Sequence, residues 1–493
     1  MDLNPTYLRE GTPLAEFTAT EQEQEESIWG NISALDHRYR GDLEPLRKFL
    51  SERALIRYMA MVLLAMVRVL AQRGICDHAV AQEVEEAIPK MDPKKVAAIE
   101  RKKKHDVRSV VEALRELVSD AAKPFIHFAM TSFDVKSTAE VTRIRNALVE
   151  VVIPRIMQLL ELLIRIAWQE AATLQMGRSH GQHGEPITLG FTFASYCRRL
   201  AGRVEVLQYV LGRLKGKISG AMGAHNSFAL FVDDPLELER EVLADEAIGL
   251  EPDPLSTQIV APEELADVFW ALQTVVGVCA NVADDMRNLA RTEIGEVYEE
   301  FKTAQVGSST MPHKRNPWNF ENVKSVWKKT VGRLVTVILD QISEHQRDLT
   351  NSASMRDLVD LVANVYLAVD RLVKTLKKAR FDREKMKTNA ALTGDVCLAE
   401  PLYLCLAAAG HPDAHEAVKQ LTLKAEDEET SLAAVTYASE ELVPWFDRMD
   451  PEQLEKLQWL FEDPSRYRGI AEAKTLQLCR KLAEQFDINL EAA

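Results

Sequence analysis

Between residues 53 and 71, Leu55, Met59, Val62, Leu63, Met66, Val67 and Leu70 recur three or four positions apart. That spacing gathers apolar side chains on one side of a helix. The same period runs through 137–174, 188–215, 262–293 and 320–344, with almost no internal turn signal. A helix of about 30 residues spans roughly 45 Å, well beyond the globular mean, so several in one chain predict an elongated all-α bundle. Pro154 falls inside the first of these long stretches. It predicts a kink there, because proline lacks an N–H and its ring crowds the preceding turn. Alternation with period two is scarce.

Short polar or glycine-bearing segments separate the helices: AMTSFDVK at 129–136, QMGRSHGQHGEP at 175–186, KISGAMGAHNS at 217–227, DPLSTQ at 253–258, and 304–318. Loops held at the ends of long helices are where functional groups are expected. After about residue 378 the segments become shorter and mixed. Three domains are therefore expected, at 1–122, 123–377 and 378–493.

Composition narrows the function classes. With 46% hydrophobic and 27% charged residues, 21 Gly and 19 Pro, the 493-residue chain is neither disordered nor collagen-like. No apolar run reaches the ~18 residues of a membrane span, and MDLNPTYLREGTPLAEF has no basic-then-apolar leader, so a cytoplasmic protein without membrane contact is expected. A formal charge of -15 argues against nucleic-acid binding. The lysines of RKKKHDVR (101–108) lie beside an acidic helix and are read as a solvated face. The six cysteines form no CxxC pair and the histidines show no ligand spacing, so free thiols and no metal or cofactor are expected.

VGSSTMPHKRNPWNFENV at 306–323 has too many helix breakers for packing and many hydrogen-bond donors. Gly307 opens backbone conformations closed to other residues, Ser308 and Ser309 supply hydroxyls, and Pro312 blocks a helix. Lys314 and Arg315 bring positive charge. Asn316-Pro317 looks like an N-cap followed by the first helical residue, whose free N–H groups would aim back at the loop. The segment is therefore an expected anion site that also holds a potential base.

GSSxMPxKxNP is the signature of the fumarase/aspartase superfamily of lyases, and MPHKRNP is most similar to its adenylosuccinate lyase family. The resemblance continues in order from about residue 33 to 360. It implies that Arg38 and Tyr39 of SALDHRYR hold a nucleotide phosphate, and that Lys104, His105 and Asp106 of KHDV bind substrate. Thr131 and Ser132 of MTSFD would contact the succinyl carboxylates. In GRSHGQ, His180 would be the general acid and Gln182 a substrate ligand. Gln258 of STQI, Lys314, Asn316, Asn322, and Arg347 with Ser352 to Arg356 of HQRDLTNSASMRD would complete the cradle. His183, Glu185 and Lys104 depart from the usual family residues.

The reaction so implied removes fumarate from adenylosuccinate, and from the succinyl-carboxamide ribotide of purine synthesis. A proton must leave carbon next to a carboxylate, which calls for Lys314, Asn316 and helix N–H groups to hold the resulting dianion. Ser308 would take that proton once ionised by its neighbours, and His180 would protonate the leaving nitrogen, since imidazole titrates near the working pH. The family fold is all-α and three-domain, with a long-helix bundle forming a tetrameric core and each site drawn from three subunits. A carboxymuconate cycloisomerase or argininosuccinate lyase is the nearest alternative, and a non-catalytic structural homologue the alternative of another class.

Overall fold

The computed structural model describes residues 31–301, 307 and 309–491. The elements that matter here are α1 (Glu52–Gln72), α2 (Asp106–Arg115), α3 (Ser132–Ala147), α4 (Ile153–Gln169), β1 (Leu174–Ser179), β2 (Gln182–Thr188), α5 (Leu189–Leu211), α6 (Glu263–Leu289), α7 (Trp318–Leu339), α8 (Leu358–Leu376) and α9 (Ala471–Gln485). Each predicted helical stretch overlaps one or two of these helices. The chain forms two compact units. One comprises the described residues of Met1–Pro154 with Tyr209–Gln273 and Lys329–Asp370; the other comprises Arg155–Gln208, Thr274–Lys328 and the described residues of Arg371–Ala493.

In the first unit α1 is buried on nearly every side: Met59, Val62, Leu63, Met66, Val67 and Leu70 form the predicted face, and Ala60 and Ala65 on other faces are fully buried too. Ser51 starts the helix by accepting the Ala54 N–H at 3.2 Å. Two helical stretches, Glu44–Gln72 and Glu263–Leu289, are in fact apolar and long enough to cross a membrane, which corrects the expectation that none exists. Of their most apolar windows, 72% and 61% is buried within the protein. Their apolar character is spent on packing. The kink expected at Pro154 takes the form of a π-helical turn, Leu148–Val152, between α3 and α4. A widened turn absorbs the missing N–H and the ring's crowding of the turn behind it.

Beneath the start of α3 lies a fully buried ion pair, Lys217 Nζ to Asp134 Oδ1 at 2.5 Å. Asp134 also accepts the N–H groups of Thr131 at 2.8 Å, Ser219 at 3.1 Å and Gly220 at 3.2 Å. Those bonds supply the partners that a buried carboxylate requires.

In the second unit, residues 175–186 are not the irregular loop expected but an antiparallel hairpin of β1 and β2, with Ser179 paired to Gln182. His180 and Gly181 form its two-residue turn with φ of 55° and 78°, the signs of a type I′ turn. A Cβ on Gly177 would lie 2.8 Å from the Glu185 carbonyl oxygen, so only glycine lets the strands approach beside the bulge between Met176 and Arg178. The hairpin rests on Glu296, which is fully buried and accepts from Arg178 Nη2 at 2.6 Å, Gln175 Nε2 at 3.1 Å and Asn389 Nδ2 at 2.8 Å. Further along, Leu402, Leu406, Val418, Leu432, Leu442 and Leu457 build a small core of their own. All six cysteines are free.

Candidate active site

In the first unit, the helix Pro93–Lys103 ends at Lys104, which turns left-handed at φ 55°. His105 then caps α2: its Nδ1 accepts the Arg108 N–H at 3.4 Å, and its Nε2 lies 3.3 Å from Ser132 Oγ. Asp106 accepts a short hydrogen bond from Lys136 and another from the Val107 N–H at 2.8 Å. Burial raises this carboxyl, but the Lys136 bond and charge, with Val107 and His105, outweigh it and hold Asp106 below the ordinary carboxylate range.

Lys136 also lines a cavity of about 60 Å³ with Phe133, Arg347, Asn351, Ser352 and Arg356. The Arg347 guanidinium stacks 3.3 Å from the centre of the Phe133 ring and donates to Gln258 Oε1 at 3.3 Å. Planar stacking on an aromatic face is an arrangement lysine cannot reproduce. The structure thus brings His105, Asp106, Ser132, Gln258, Arg347, Ser352 and Arg356 together. Thr131 sits at the α3 start, fixed through its N–H to Asp134. Lys104 and Arg38 are exposed, with no side-chain hydrogen bond or ion pair to this group among the described residues, and Tyr39 lies one position on in the same turn segment.

In the second unit, His180 stands at the exposed tip of the hairpin and makes no side-chain hydrogen bond among the described residues; Gln182, just after the turn, is also exposed. Ser308 lies outside the described residues, and its neighbours correct two expectations. Gly307 does not adopt a left-handed φ; a Cβ there would sit 2.3 Å from the Lys314 carbonyl oxygen, so its glycine serves a close crossing of the loop on itself. Asn316 does not cap the following helix. Its Nδ2 donates to the Gly307 carbonyl at 3.1 Å, and α7 begins at Trp318.

Two N–H donors at the helix start are already taken within the protein. Glu299 Oε2 accepts the Asn319 N–H at 3.2 Å and Glu299 Oε1 the Phe320 N–H at 2.8 Å, so a carboxylate of the protein already occupies that end. Burial raises the Glu299 pKa against these bonds. Lys314 is exposed and unpaired among the described residues, and Asn322 is half-buried on α7.

Lys136, Phe133, Lys217 and Glu299 escaped sequence reasoning, although Lys136 stands one helical turn beyond Ser132 on the same face. His127 is another. It holds φ at 69°, and burial pulls its pKa below the ordinary value, opposed by Asp134. Of seven non-glycine residues with positive φ among the described residues, Lys104, His127, Ala129, His180 and His225 lie in or beside the segments singled out above. Backbone held in so sparsely populated a region gathers at functional sites. Among the described residues, no three His, Cys, Asp or Glu side chains are grouped to hold a metal ion.

Residues 38–332 match the family described as Lyase, and residues 343–449 match the Adenylosuccinate lyase C-terminal family. The adenylosuccinate lyase of Pyrococcus horikoshii is 33% identical over 462 residues, covering 92% of this chain and 97% of that protein. That of Methanocaldococcus jannaschii is 32% identical over 451 residues, covering 89% and 94%. Among solved structures, the fold is similar to 3-carboxy-cis,cis-muconate lactonizing enzyme from Pseudomonas putida, with a TM-score of 0.78 and 26% identity over 90% of this chain and 97% of that one. It is also similar to fumarate lyase from Mesorhizobium sp. BNC1, with a TM-score of 0.77 and 21% identity over 88% and 97%. The all-α architecture is therefore shared across the superfamily and does not separate its activities. The two family matches and the extent of sequence identity do so: the chain belongs to the adenylosuccinate lyase family.

Proposed function

We propose that the chain eliminates fumarate from adenylosuccinate to give AMP, and from the succinyl-carboxamide ribotide, in purine nucleotide biosynthesis. The observation that carries this reading is the pocket in which Arg347, stacked on Phe133, meets Gln258, Ser352 and Arg356 beside His105 and Ser132, a setting for an anionic, hydrogen-bonding substrate. Arg38 and Tyr39 hold the phosphate, Arg347 with Ser352 to Arg356 cradles the nucleotide, Thr131 and Ser132 hold the succinyl carboxylates, and Lys104, His105, Asp106, Gln182, Gln258 and Asn322 the remainder. Ser308 Oγ, once ionised, takes the proton from carbon. Electrons of that C–H bond form the new double bond as the C–N bond breaks, and His180 gives its proton to the departing nitrogen. Lys314 and Asn316 stabilise the dianion between the two steps.

The working form is a homotetramer with sites shared between subunits. Supporting this, Val331, Val335, Ile338 and Leu339 on α7 and Ile342 beyond it form an apolar stripe at helical spacing, 39 to 78% exposed in the single chain. Domains at 1–122, 123–377 and 378–493 and a cytoplasmic location complete the reading; the separate core around Leu402 and Leu457 supports the last domain. The test is an ultraviolet assay of the purified protein with adenylosuccinate beside argininosuccinate and carboxymuconate. AMP and fumarate are expected, and turnover should vanish in Ser308→Ala and His180→Ala. Activity on a rival substrate alone discards the nucleotide reading.

A further inference from the structure

The proposed mechanism leaves unused two residues just beyond the His180 turn, His183 and Glu185, and both reach the same stretch of chain. His183 Nδ1 lies 2.7 Å from Thr393 Oγ1. Glu185 lies beside Glu400, whose Oε2 accepts the Tyr467 O–H at 2.6 Å. This stretch is fixed from behind: Asp395 accepts the Leu432 and Ala433 N–H groups at 2.9 and 2.7 Å, and Leu398 and Leu402 are fully buried. β2 also packs against Pro464–Arg466 and α9. An isolated two-stranded hairpin is marginal in water, so the direction in which its tip points depends on what grips the strands.

We propose that His183 and Glu185 are positioning residues which, through Thr393 and Glu400, latch the hairpin to the C-terminal segment and set the direction of His180; this rests on the reading of His180 as the general acid. The Glu400 hydrogen bond, then burial and the Glu400 charge, push the Glu185 carboxyl up to about 7. The other groups facing it are Tyr467 and Cys397, while burial and the Arg178 charge, against Glu296, pull His183 below its ordinary value. Because the carboxyl binds its proton more tightly in the closed hairpin than at its ordinary pKa of 4.5, closure is favoured at low pH and its advantage is lost as pH rises through about 7. Between pH 6 and 8 the opening equilibrium should increase at most roughly tenfold, less where solvent screens the exposed carboxyl.

The experiment is amide hydrogen exchange of residues 174–188 in the full-length protein at pH 6, 7 and 8, corrected for intrinsic exchange, together with kcat and KM. Wild-type protection should fall severalfold across that range. Glu185→Gln, which can donate the same bond without titrating, should make protection flat and remove any fall in kcat between pH 7 and 8. Thr393→Val should lower protection at every pH and reduce kcat with little change in KM. Equal pH responses of protection in wild type and Glu185→Gln overturn the latch. Exchange that follows the latch while kcat does not overturns the positioning role, whereas turnover retained in His180→Ala overturns the catalytic reading on which that role rests.

Discussion

Lys217→Met tests the buried support beneath the Thr131–Ser132 loop. The substitution keeps an unbranched side chain one atom shorter and removes its charge, leaving the Asp134 carboxylate fully shielded from solvent. Breaking a buried ion pair from one side costs about 3–5 kcal/mol. Three backbone N–H groups remain on Asp134, those of Thr131, Ser219 and Gly220, so the lower end, ~3 kcal/mol, is expected. With an unfolding entropy near 2 cal/mol/K per residue, this lowers the Tm of a 493-residue chain by roughly 3 °C. Scanning calorimetry at one fixed protein concentration measures it, since assembly also shifts Tm. In the Asp134→Asn background, where no charge is stranded, the same change should cost about 2 kcal/mol less, a coupling that a double-mutant cycle isolates. KM should rise severalfold as well, because Asp134 also fixes the Thr131 N–H. A Tm within about 1 °C of wild type, or equal losses in both backgrounds, refutes the reasoning.

Three further outcomes are expected. Gly307→Ala places a Cβ 2.3 Å from the Lys314 carbonyl oxygen; the loop must shift, and a fall in kcat on the order of a hundredfold with unchanged far-ultraviolet circular dichroism should result. Arg347→Lys loses the planar stack on Phe133, and KM should rise about tenfold, equivalent to ~1.4 kcal/mol, with a smaller effect on kcat; equal KM values would remove Arg347 from the substrate pocket. Burial raises Glu299, so its stabilising contribution is complete below its ordinary pKa of 4.5 and declines as pH rises through the folded value. The Tm advantage of wild type over Glu299→Gln should therefore be largest near pH 4.5 and shrink toward neutrality, and an advantage that grows with pH would contradict this.

The long helices were legible because burial of one face imposes a period that survives in the primary structure: Met59, Val62, Met66 and Leu70 mark α1 whatever packs against them. Pro154 announced a disturbed helical turn through covalent geometry alone. The chemistry-bearing loops were legible because GSSTMPHKRNP and GRSHGQ are nearly contiguous strings. The hairpin was not, since its strands are polar and glycine-interrupted and acquire their pairing from Gly177, Gly181 and the grip of Arg178 on Glu296. Asn316-Pro317 has the composition of a helix cap, yet Glu299, 17 positions earlier than Asn316, wins that role because the fold delivers its carboxylate to the helix end.

The sequence by itself thus determined the helical class and the disturbed turn beside Pro154, each fixed by local spacing or covalent geometry. Only the tertiary structure decided which charges are buried together, as with Lys217 and Asp134 across 83 positions, and which partners hold His183 and Glu185. The reason is physical. Desolvation and hydrogen bonding act over a few ångströms in space, and no residue pattern along the chain encodes which distant segment will supply the partner.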